Sequence, residues 1–199
     1  MSKIIELLTA PIMFMNMFSG IVGGIWLAII GEWSLIGFGL ILLFTSHWYL
    51  MLLMLPGMAI TAIAVPLIKR QNPLHYFFGY LSQLYTNILI VGWCIGSFIV
   101  CTNHYNGPNV SSIDVVPYAL WSWGMGLGPW QFFASKEPDN EFTMITTFSA
   151  SAFYLLFLIS FFLLPGLSLI IIVLFIFVHT IVLPIYNLYL ANKMESEYF

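Results

Sequence analysis

The chain has 199 residues, 61% of them hydrophobic and only 7% charged, with mean hydropathy +0.98. About a quarter of an ordinary domain is charged, so these few charges could not cover a globular surface, and the chain is read as facing lipid. A net charge of -3 without any basic cluster excludes nucleic acid as a partner.

A membrane helix needs about 20 apolar residues to cross a hydrocarbon core about 30 Å thick. The first predicted span is 7–30, with Pro11 in its opening turns and the tight turn Gly31-Glu32-Trp33-Ser34 closing it. No small-residue cleavage pattern marks the segment behind Met1–Glu6, so this span is expected to be retained. The second span, 35–55, returns antiparallel and ends at Pro56-Gly57. The apolar remainder, 57–68, is only about 16 Å long from Met58 onward, too short to cross again. It is expected as a bent continuation of the span, a short half-helix or an interfacial segment ending at Lys69-Arg70. Further spans follow at 77–100, 115–133, 142–163 and 167–190, separated by the loops Thr102–Asp114 and Ser135–Glu141 and by the turn Pro165-Gly166. The tail from Asn192 is polar and acidic.

The predicted fold is therefore all-α: a polytopic six-transmembrane-helix bundle, one integral membrane domain over 1–199. With both termini cytoplasmic, Lys3, Lys69, Arg70, Lys136 and Lys193 all fall on the inner side, as the positive-inside rule requires. A seventh crossing at 58–68 would break that agreement. The expected location is a bacterial inner membrane or an equivalent one. Leu55-Pro56-Gly57-Met58 and Leu164-Pro165-Gly166-Leu167 hint at an inverted repeat, but the other positions align poorly at that offset.

Depth counting brings polar residues to one level. His47 lies 12 residues into the second span and His179 lies 12 into the sixth, which is roughly 18 Å below the outer edge for each. Asn16, Asn87 and Ser151 reach about that level from the inner side, and Gln83 shares a helical face with Asn87 at i, i+4. Polar groups at such depth are expensive and face a bundle interior or a water-filled cavity. Two readings stand: the belt fastens helices, or it forms a path for a solute or for protons, since histidine titrates near neutral pH.

No metal site is predicted, because no third strong ligand stands at that depth. No cofactor is predicted either; a haem held between His47 and His179 is a minor alternative. No Asp or Glu lies inside a span, which argues against a carboxylate-driven pump. Ser97, Ser122, His75, His104 and Asp114 form no catalytic motif, so no enzyme activity is predicted.

Three GxxxG pairs, Gly20/Gly24, Gly92/Gly96 and Gly124/Gly128, suit close helix packing within the bundle or between copies. Trp121 and Trp130, with Trp123, flank the span-four glycines and suit interface anchoring or helix packing, of which packing is the expected one. Cys94 and Cys101 share a face roughly 10 Å apart, beyond disulfide reach, and are read as structural. The functional expectation is a small channel- or transporter-like protein around the two histidines. The alternative is a non-catalytic subunit or scaffold that assembles as a homo-oligomer or in a larger complex through its glycine faces. The third reading is a haem-binding redox subunit.

Overall fold

The structure is a computed structural model that describes residues 2–69, 74–108, 113–136 and 141–189. Among these there are helices and no strand. The helices are α1 (Ser2–Ile29), α2 (Trp33–Lys69), α3 (Leu74–Asn103), α4 (Val116–Lys136), α5 (Glu141–Leu163) and α6 (Pro165–Phe177), with a single 3-10 turn Ile113–Val115 before α4. A π turn, Val178–Val182, carries α6 onward as one helix Pro165–Tyr189. Three stretches are long and apolar enough to cross a membrane: Trp48–Leu67, Leu74–Asn103 and Pro165–Tyr189. Shorter apolar stretches lie at Phe14–Ile29, Trp33–Thr45 and Phe148–Leu163.

The expected break at Pro56-Gly57 is not there. α2 runs for 37 residues through Pro56 and Pro66, about 55 Å of continuous helix, so 57–68 continues the second helix and is neither a separate half-helix nor an interfacial segment. α3 braces the helix beside the proline. Pro56 withholds its N–H from the Leu52 carbonyl, four residues earlier, and side chains of α3 reach the neighbouring carbonyls of α2. Tyr85 Oη donates to the Leu53 carbonyl at 2.7 Å, and Ser82 Oγ donates to the Gly57 carbonyl at 3.2 Å. Thr61 Oγ1 lies 3.0 Å from Gly57 O and 2.7 Å from Ser82 Oγ, and its single proton serves one of the two. The absence of a side chain at Gly57 lets Tyr85 lie against it.

α4 is the central helix. It packs on α1, α3 and α5, with a smaller contact to α2. Its three alternate glycines explain how so many neighbours come close. A Cβ on Gly124 would lie 2.6 Å from Gly20 Cα on α1. One on Gly126 would meet Cys94 Cα on α3 at 3.4 Å, and one on Gly128 would meet Leu43 Cδ1 on α2 at 3.2 Å. Gly23 and Gly24 extend the α1 seam against Leu120 and Trp121. Thus α1 rests chiefly on α4, although it is joined by a tight turn to α2.

Trp121 and Trp130 are buried, 8% and 5% exposed, and do not anchor an interface. The Trp121 ring fills the space left by Gly24 and Gly39. Among the described residues, Trp26, Trp33 and Trp48 are the exposed indoles. Cys94 and Cys101 are free, buried and turned toward Gly126 and Met125 of α4.

Candidate functional site

The Trp121 and Trp130 indole N–H groups are buried without a partner; among the other buried polar side chains of the bundle, two groups differ in whether their hydrogen bonds are satisfied. The first joins α1, α4 and α5. Asn16 Nδ2 donates to Ser151 Oγ at 2.9 Å, and Trp123 Nε1 donates to Asn16 Oδ1 at 2.6 Å. Ser19 Oγ donates to the Asn16 carbonyl. One helical turn away, the Ser122 and Tyr154 hydroxyls meet at 2.6 Å, and Trp123 stands edge-on to the Tyr154 ring. Both atoms of the Asn16 amide group are thereby used. Such a satisfied network specifies how three helices fit together.

The second group lies on α3, α5 and α6 and is unsatisfied. His179 is fully buried within the π turn. Its Nδ1 lies 3.0 Å from the Phe175 carbonyl. A carbonyl can only accept, so the ring proton is assigned to Nδ1 and Nε2 carries a lone pair. Nε2 has no hydrogen-bond partner. Phe153 and Phe175 hold the ring edge-on at 6.0 and 4.4 Å, and the Thr146 backbone lies against it. Thr146 Oγ1, Asn87 Oδ1 and both side-chain polar atoms of Asn187 are likewise buried and unpartnered. Asn87 uses only its Nδ2, on the Gln83 carbonyl at 2.9 Å.

The π turn has a local cause. Pro184 has no N–H to return to the carbonyl of Thr180, four residues earlier, and its ring would crowd that carbonyl in a regular α-helix. The helix widens by one residue, with Leu183 N–H bonded to the Val178 carbonyl. Tyr80 Oη on α3 supplies the missing donor to Thr180 O at 3.0 Å. The widening also sets register. Across it, the eight residues from His179 to Asn187 act like the seven that close two ordinary turns, so both side chains lie on a buried face.

Asn187 stands roughly 12 Å along the helix from His179. Asn87, seven residues from Tyr80 toward the Leu164 end of the bundle, stands at or above the level of His179. The unpartnered groups therefore extend along the bundle rather than around one point.

Asn16 and Ser151, placed at one depth by counting, are bonded to each other. Asn87 and His179 belong to the other group, and Gln83 is half-buried beside Asn87. The His47 side chain lies outside the described residues. α2 packs mainly on α3, whereas α6 packs on α5 and, at the π turn, on α3. Thr146, Asn187 and Tyr154 went unnoticed in the sequence. The signal for Asn187 was Pro184, which marks where the α-helical count must slip. Of the glycines, Gly20, Gly24, Gly124 and Gly128 pack closely within the chain, whereas Gly92 and Gly96 have no atom within 4 Å of an added Cβ.

Comparison with known proteins finds no family model, no curated protein and no solved structure that matches the chain.

Proposed function

We propose that this is a small multi-pass, channel- or transporter-like membrane protein whose polar path follows α3, α5 and α6 past His179. One observation carries the reading: Asn87, Thr146, His179 and Asn187 leave five buried polar atoms without protein partners. Each such atom costs about 1–3 kcal/mol when left unsatisfied. Four residues of this kind in a bundle of mostly apolar helices call for a hydrogen-bonding occupant, either water or a small polar solute. The His179 Nε2 lone pair accepts a proton or a donor, so protons and small hydrogen-bond donors are the candidate cargo. Six crossings with both termini cytoplasmic fit the position of Lys3, Lys69 and Lys136 at one common end of their helices.

The test is flux in proteoliposomes loaded with a pH dye, followed by swelling assays with neutral solutes. The wild-type protein is expected to exceed empty liposomes, and His179→Leu to fall by about tenfold, the equivalent of about 1.4 kcal/mol on a barrier. His47→Ala, alone and with His179→Leu, reports whether the second histidine shares the path. Wild-type flux equal to that of empty liposomes removes the proposal.

A scaffold reading has its own observation. Gly92 and Gly96 lie open on α3 beside the exposed Ile88 and Ile99, as a helix-docking face would. Disulfide crosslinking through Gly92→Cys distinguishes it: a crosslinked dimer supports assembly, and monomer at high surface density counts against it.

A further inference from the structure

At one end of the bundle, the α1–α2 turn and the end of α3 enclose an open cleft of about 470 Å³ lined by Glu32, Val100, Asn103, His104 and Asn106. The geometry points to this cleft as a binding site for a small organic cation with N–H donors, of the primary alkylammonium class.

The carboxylate is built in. Gly31 adopts φ 88°, a left-handed conformation open to glycine. Gly31 N–H returns to the Ala28 carbonyl and Glu32 N–H to the Leu27 carbonyl, the paired bonds that end a helix at glycine. The Glu32 carbonyl then accepts from Ile36 N–H in the first turn of α2. The backbone of Glu32 is thus held on both sides. Its side chain is held by the buried Tyr118, whose Oη donates to Oε1 at 3.0 Å. Tyr105 stands edge-on to the Tyr118 ring and keeps it in place.

The other lining groups are of the complementary kind. His104 Nδ1 lies 2.9 Å from the Val100 carbonyl, which can only accept, so Nδ1 is assigned a proton. Asn103 and Asn106 add amide groups, whose oxygens can accept, and the C-terminus of α3 contributes its partial negative charge. Lys3, Lys69 and Lys136 stand at the opposite ends of their helices, and the loop from Thr102 to Asp114 holds no Lys or Arg. One carboxylate beside amide acceptors, with no Lys or Arg at this end, suits an ammonium group. Glu32 and His104 alone are too few strong ligands for a transition-metal site, and the volume suits a small molecule.

The experiment uses the full chain in nanodiscs and ligand-observed saturation-transfer NMR, with empty nanodiscs subtracted. The probes are ethylammonium, tetramethylammonium, ethanol and acetate. Ethylammonium is expected to bind, with tetramethylammonium weaker for want of N–H donors and the other two silent. Glu32→Gln keeps an oxygen for Tyr118 but removes the charge, and should weaken ethylammonium at least about tenfold; charge-assisted bonds are roughly twice as strong as neutral ones. His104→Phe, at an exposed position, should weaken it about threefold while leaving the melting temperature unchanged, and it serves if Glu32→Gln fails to fold. Absent ethylammonium binding, equal binding by both variants, equal binding of acetate, or a cleft that takes Zn²⁺ but no amine would each overturn the assignment. Because the readout is binding, its failure is separate from any failure of the flux reading.

Discussion

Adding one methyl group at Gly124 should pry α1 from α4. An alanine Cβ there would sit 2.6 Å from Gly20 Cα and 3.3 Å from Gly20 N. Carbon atoms rest at about 3.5–4.0 Å, so the two helices must part by about 1 Å, backbone against backbone, with no side chain to swing away. The same seam carries the Trp123–Asn16 hydrogen bond, 2.6 Å long; lengthened by about 1 Å it leaves hydrogen-bonding range. Overpacking costs about 1–3 kcal/mol and the lost bond about 1 kcal/mol, offset by up to about 1 kcal/mol from the better helix propensity of alanine. The net expectation for Gly124→Ala is a loss of about 1–3 kcal/mol. Gly92→Ala meets nothing within 4 Å and should be neutral or slightly stabilising. Equilibrium unfolding in mixed micelles with rising dodecyl sulfate, followed by tryptophan fluorescence, measures both. Gly124→Ala at wild-type stability, or Gly92→Ala equally damaging, would refute the account of the seam.

Asn16→Leu removes the partner of both Trp123 and Ser151 and should cost about 2–4 kcal/mol, with a shift in the emission of the buried indole; unchanged stability would mean that the network is incidental. Tyr80→Phe strips the donor from Thr180 O and should cost about 1 kcal/mol. In a Pro184→Ala background the restored N–H takes that carbonyl, so the loss should shrink, and a double-mutant cycle with no coupling would contradict the explanation of the π turn.

The helical character of the chain, with stretches long and apolar enough to cross a membrane, was legible from composition, because apolar runs of this length have few alternatives. Counting residues from span edges also brought Asn16 and Ser151 to one level, since rise per residue is constant in a regular helix. Counting failed wherever one helix repairs another. Pro56-Gly57 reads as a break in isolation, but the Tyr85 and Ser82 hydroxyls that brace the helix beside it lie on α3, and no local pattern announces them. The π turn similarly depends on Pro184 together with Tyr80, 104 positions away in sequence. Thr146 and Asn187 looked like ordinary span residues until that turn fixed their register. Trp121 and Trp130 pack in the interior, as their glycine neighbours suggested, but the glycines on α1 and α2 that make room for Trp121 could not be matched to it from the sequence.

The central claim is that a polar path reaches the buried imidazole of His179. Its most direct test is solid-state NMR of protein labelled with ¹⁵N-histidine in lipid bilayers, measuring magnetisation transfer from water to each of the four histidine rings. The account predicts transfer to His179, comparable to that at the exposed His104, with Nδ1 carrying the proton and Nε2 contacting water. Transfer at His104 with none at His179 would contradict it and leave the imidazole as a dry fastening between α5 and α6.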